Sequence, residues 1–242
     1  MTAMLAIGAV SALIPASAAA QIFELGVPKS PLVAPVCPPT VTASNCTIIL
    51  TQVTALATIR DGVAYPTTVT KAGKIVAFSL GLSRLDKNLA TAKKDVHFLD
   101  TTYGGTAQAG ITILKRVGKK SAFRWSVVAQ SPVYHLQPYL GTVVQFPLDT
   151  SIAVTPGEVV ALTVPTWAPV LSFNLPTKKF AYRQSRGANC TRPAAATQVQ
   201  TTIGASTRYL CDYPGTRVEY SATEVTSPVP PKTQIHAADR PT

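Results

Sequence analysis

The sequence predicts an all-β protein, a two-sheet antiparallel sandwich of jelly-roll-like build with two local disulfides. Three observations carry that expectation. Short runs rich in Val, Ile, Thr and aromatic residues recur along the chain, each bounded by Gly, Pro or Asn. Helical periodicity is hard to find between those runs. Four cysteines fall into two close pairs, Cys37 with Cys46 and Cys190 with Cys211.

Residues 1–20 carry no charge and end in small residues. An apolar run from Met4 to Ile14, a breaker at Pro15 and then Ala16-Ser17-Ala18 form the pattern of a secretory signal, although no Lys or Arg precedes the run. Cleavage after Ala18 or Ala20 fits. The run is too short to span a bilayer, which takes about 20 apolar residues, so no transmembrane segment is expected. Residues 21–36 form a Pro-rich extended leader, 37–226 a single β-sandwich domain, and 227–242 a tail without apolar periodicity, expected to be disordered.

The expected strands are 47–59, 75–85, 109–117, 123–130, 142–148, 158–164, 170–175, 180–184, 207–210 and 217–225. In the last, Val218, Tyr220 and Ala222 share one face and Arg217, Glu219, Ser221 and Thr223 the other, which describes a half-buried strand. Pro165 blocks ladder donation and should end its strand. Thr155-Pro156-Gly157-Glu158 has type II turn chemistry, and 117–121 should be a hairpin tip. Local pairing of the cysteines is preferred among three connectivities, because each pair closes a short stretch. Neither pair has the C-x₂-C spacing or nearby His of a zinc site.

The strings QAGITILKR (108–116), VVAQSPVYHLQPYLGTVVQFPL (127–148) and VTPGEVVALTVPTWAP (154–169) resemble a group of uncharacterised exported β-sandwich proteins of actinobacterial type. GKIVAFSLGL (73–82), Tyr103-Gly104-Gly105 and the closing VEYSATEV are similar as well. The resemblance runs from about Cys37 to Val225 and implies an exported β-sandwich with two disulfides. It implies no activity and no catalytic residue.

There are 22 basic against 11 acidic residues, a net charge of +11, which predicts attraction to polyanions. The densest cluster is Lys115, Arg116, Lys119, Lys120 and Arg124, on one proposed hairpin. It could dock on a phosphate-bearing wall polymer or serve only as a solvated tip. No motif that reads nucleic acid accompanies the charge, so no specific nucleic-acid partner is expected. Trp167, between Pro165 and Pro169, is placed either as a rim platform for a sugar ring, with Tyr134, Tyr139 and Tyr103 as companions, or as a plug over the sandwich end.

Catalytic signals are few. If 95–100 is a strand, Asp95 and His97 share a face and could pair as a base and its orienter, or as metal ligands; the bland alternative is a polar edge. His135 lies in SPVYHLQPY and reads as a loop histidine. No G-x-S-x-G elbow exists, and only four Glu are present in the chain. Asn45-Cys46-Thr47 and Asn189-Cys190-Thr191 match the glycosylation sequon, but the cysteines explain both sites better. The expectation is a secreted, non-catalytic extracellular or cell-envelope module binding cell-wall glycan or anionic polymer. No cofactor and no metal are expected. A secreted hydrolase using His97 and Asp95 is the alternative.

Overall fold

β-Branched runs with both faces apolar sit at the centre of this protein, and half-polar ones at its edges. The computed structural model describes residues 19–38, 46, 48–119, 122–186, 190 and 199–228. Most of the expected signal segment, most of the expected tail, Lys120, and the Asn and Thr of both sequons lie outside the described residues.

In chain order the strands are β1 (Ile22–Leu25), β2 (Leu50–Arg60), β3 (Val63–Ala64) and β4 (Gly73–Gly81), followed by a helix, α1 (Leu89–Thr102). Then come β5 (Gln108–Val117), β6 (Arg124–Gln130), β7 (Tyr134–His135), β8 (Val143–Val154), β9 (Val159–Ala168) and β10 (Leu171–Ser172). The chain closes with β11 (Phe180–Gln184), β12 (Ser206–Thr207), β13 (Cys211–Pro214), β14 (Arg217–Val218) and β15 (Tyr220–Thr226). All pairings between them are antiparallel. A small sheet has the order β1-β15-β4-β8; a large one runs β12-β6-β5-β9-β2-β11-β13, with β3 beside β2 and β7 beside β5. The chain crosses repeatedly from one sheet to the other, as expected of a jelly-roll-like sandwich.

Side chains alternate along the central strands of the large sheet. Val160, Leu162 and Val164 join the core between the sheets, whereas Val159 and Ala161 point outward into a second cluster with Leu56, Leu114, Trp125 and Tyr209. Tyr220 ties the two layers together. Its hydroxyl donates to the Val160 carbonyl at 3.0 Å and accepts from the Ala57 N–H at 3.1 Å. Burial pushes that phenol up to about 12. On the outer face the hydroxyls of Thr54, Thr163 and Thr112 form a row (2.9 and 2.5 Å), so these buried polar groups are paired.

Both disulfides are the local ones. Cα atoms are 5.8 Å apart in Cys37–Cys46 and 5.2 Å apart in Cys190–Cys211. The type II turn is present, with Gly157 at φ +89° and the Glu158 N–H donating to Thr155 O at 3.2 Å.

Several expectations are corrected. Residues 89–102 are helical. Asn88 caps the helix, its side chain accepting from Ala90 N–H at 2.9 Å and Thr91 N–H at 3.1 Å. Gly104, at φ +80°, ends it. β9 continues through Pro165 to Ala168, because a bulge opposite Gln52 (φ +47°) takes up the residue that cannot donate. β8 runs past 148 for a similar reason, its pairing with β4 broken by a bulge and resumed at Ile152. Residues 170–175 keep only the two-residue strand Leu171–Ser172, and of 207–210 only Thr207 is in a strand, with Ser206.

The segment 217–225 is not half-buried: Arg217, Glu219 and Ser221 are as inaccessible as Val218 and Tyr220. The leader explains this. β1 pairs with β15, the Val33 N–H reaches Glu219 Oε2 at 3.5 Å, and Ser30 O accepts from Arg60 at 3.0 Å. Residues 21–36, of which Ile22–Leu25 form a strand, are therefore built into the sandwich.

Candidate functional site

The β5–β6 hairpin forms as the sequence predicts, with Val117 opposite Arg124 and Gly118 at φ +89° turning the chain. Lys115, Arg116, Lys119 and Arg124 are all exposed. They do not form one uniform positive surface, however. The Arg124 guanidinium donates to Ser206 O at 2.7 Å and thereby ties β6 to its edge strand. The Arg116 guanidinium lies over three rings, 4.6 Å from Phe123, 4.8 Å from Tyr65 and 5.0 Å from Trp125. Such stacking holds the cation in place and is worth about 0.5–2 kcal/mol per site.

Beside this cage the outer face of the large sheet is notched by a cavity of 250 Å³. Trp125 and Tyr209 are buried there, and Tyr65 and Phe123 are half-buried. Arg183 and Arg208 line the same notch. The hairpin was legible in the sequence. These two arginines were not, because only the placement of β11 beside β2, and the folding of residues 199–210 over the outer face, bring them there. A weak signal existed in Arg208-Tyr209-Leu210, where a cation and an aromatic adjoin.

The proposed sugar platform is corrected. Trp167 is 0% exposed and sits within β9. Its indole Nε1–H donates to Asp100 Oδ1 at 2.9 Å and to Gly105 O at 3.2 Å. Tyr134 and Tyr139 gather round a different ring, Phe146, with centroids at 5.2 and 5.3 Å. The Tyr134 hydroxyl is committed to Pro147 O at 2.9 Å. Tyr103 packs against the core.

Asp95 and His97 are placed on α1, not on a strand. Two residues apart on a helix means about 200° of rotation, so their side chains diverge. Asp95 borders a cleft of 830 Å³ between the leader, the Cys37–Cys46 disulfide and α1, and His97 is exposed and does not line it. The cleft is mainly apolar, with Val36, Ile49, Phe98 and Tyr103 on its walls and Arg84 at its edge. His135 lies in β7 rather than in a loop, and its Nδ1 is 3.3 Å from the Thr106 hydroxyl, a side-chain partner and not the backbone. Among the described residues no group of three or more His, Cys, Asp or Glu is placed to hold a metal ion. No described helix is long and apolar enough to cross a membrane.

No family model, curated protein or solved structure matches this chain. The site therefore rests on its own geometry. The basic hairpin and the notch beside it form one continuous region, with the ring cage of Arg116 shared between them.

Proposed function

We propose that this protein is an exported, non-catalytic binding module of the cell envelope or extracellular space, which docks on an anionic wall polymer through the basic outer face of its large sheet. One observation carries the reading: Arg116, Arg183 and Arg208 converge on a single aromatic-floored region next to the exposed Lys115 and Lys119. A net charge of +11 adds a long-range attraction. Export is supported by the uncharged N-terminal segment and by two disulfides, which persist in oxidising compartments.

The test is co-sedimentation of the purified full chain with poly(glycerol phosphate) and with phosphatidylglycerol vesicles over a range of salt. Binding should weaken steeply as salt rises, since screening sets in over about 10 Å at 0.1 M. Changing Lys119 and Lys120 to Glu should weaken it further without lowering the melting temperature. Equal binding by wild type and double variant would leave the cluster a solvated hairpin tip. Intact-mass analysis of protein from the medium should show a chain starting near Ala19 or Gln21, and a retained Met1 would refute export by cleavage.

A further inference from the structure

The geometry points to the 250 Å³ notch as the seat of one anionic sugar unit, a hexose ring bearing a carboxylate or a phosphate. This assignment rests on the polymer-binding reading and supplies the unit that the basic face would select.

Size is the first argument. An apolar cavity of about 150 Å³ accepts benzene, so 250 Å³ holds a single ring with a charged substituent and little more. The second is the shape of the floor. Tyr65, Phe123 and Tyr209 surround Trp125 at centroid distances of 6.1, 5.8 and 6.5 Å, with interplanar angles of 48°, 89° and 75°. Rings set at such different tilts make a bowl whose base, Trp125 and Tyr209, is buried, so the half-buried Tyr65 and Phe123 on its wall are the rings left to meet the C–H groups of one sugar. Single-stranded nucleic acid needs a row of open ring faces along a groove instead.

The third argument is charge placement. Arg183 and Arg208 flank the bowl, and Arg116 lies over its rings at 4.6–5.0 Å. A guanidinium is a planar fork that matches a carboxylate or phosphate through two parallel hydrogen bonds. Arg183 Nε lies 3.5 Å from Asp212 Oδ1 in a partly exposed ion pair. The floor is held rigid from behind: Tyr209 donates to Gln200 Oε1 and Gln200 Nε2 donates to Trp125 O. Tyr65 has φ +46°, in the left-handed region that a bulky aromatic residue seldom occupies. Strained backbone of this kind is found at ligand clamps, and here it carries the ring that both Arg116 and the bowl use.

The experiment is an NMR titration of the purified full chain, following the Trp125 indole N–H, with methyl glucuronide, glucose 6-phosphate and methyl glucoside as separate probes. At least one anionic sugar should bind tenfold or more tightly than the neutral glucoside, and the two anionic arms tell a carboxylate source from a phosphate one. Arg208→Ala should remove most of that preference, and Arg208→Lys should not restore it. Arg208 is exposed, so the variant should melt like wild type; Tyr65→Phe, which keeps the ring, should bind normally. Equal binding of charged and neutral sugars, no change in Arg208→Ala, or tighter binding of oligothymidylate than of either anionic sugar would overturn the assignment. If the sugars fail while poly(glycerol phosphate) still sediments with the protein, only this site is refuted; if both fail, the polymer reading falls too.

Discussion

The indole of Trp167 and the carboxylate of Asp100 meet at 2.9 Å, and this one bond pins the end of α1 to β9. Asp100 is shared, because its other oxygen accepts from Gln137 Nε2 at 2.8 Å. Asp100→Ala should therefore leave two donors poorly satisfied and cost about 1–3 kcal/mol. Urea unfolding would measure it. A variant as stable as wild type would show that Gly105 O, at 3.2 Å from the indole nitrogen, suffices alone.

Gly81 lies where the leader crosses the small sheet. A Cβ there would sit 1.9 Å from Val33 O and 2.8 Å from Val33 C, both backbone atoms that cannot swing aside. Gly81→Ala should lower stability by about 1–3 kcal/mol, as overpacking does. It should also make the leader around 28–38 cleave faster in limited proteolysis than it does in the wild type.

Stability should pass through a maximum in mildly acidic solution. Burial raises the Glu219 carboxyl above the ordinary 4.5, although Arg217, Ser172 and Arg60 oppose the shift. Burial likewise raises Glu224, against a smaller pull from Lys71. In the window above 4.5 the folded chain holds protons that the unfolded chain has released, so stability falls as pH rises until both groups are ionised. Asp61 has the opposite sign. Burial raises it, but hydrogen bonds from Ser30 and Lys29 and the charge of Arg60 together hold it below its ordinary 3.8. Its contribution is present above that value and is lost as pH falls through the depressed one. Urea midpoints for Glu219→Gln with Glu224→Gln should lose most of the fall on the alkaline side and keep the acid one; an unchanged profile would contradict the argument.

The disulfides should differ in strength by loop length. The Cys190–Cys211 separation is 21 residues and that of Cys37–Cys46 is 9. Chain entropy then predicts losses of about 3.3 and about 2.6 kcal/mol when each pair is replaced by Ala. Thermal melts of the two double variants would rank them, and non-reducing peptide mapping should find no crossed pairing.

Much of the fold was written locally. The run 180–184 is a strand with the expected bounds, the β5–β6 hairpin turns at its glycine, and the cysteines pair within their own neighbourhoods. The helix was legible too, in the Asn88 cap and in the stripe Ala92, Val96, Leu99 and Tyr103, which repeats every three or four residues; Ala92 is buried and the other three pack in or on the core. The short alternation of Asp95, His97 and Leu99 masked it, since polar and apolar residues two apart suit a strand edge equally well.

What the sequence determined by itself is the β character of the central runs, the turns and the cross-links, because these depend on residues close in the chain. Tertiary structure alone decided which faces meet water. Alternation in 217–225 marks two faces, but only the leader, far away in sequence, determines that Glu219 is sealed from solvent with Arg60 and Arg217. The same holds for the notch, where Arg183 and Arg208 reach the rings of the hairpin through strand order. Burial is a property of what lies opposite a side chain, and no local pattern encodes the distant segment that will cover it.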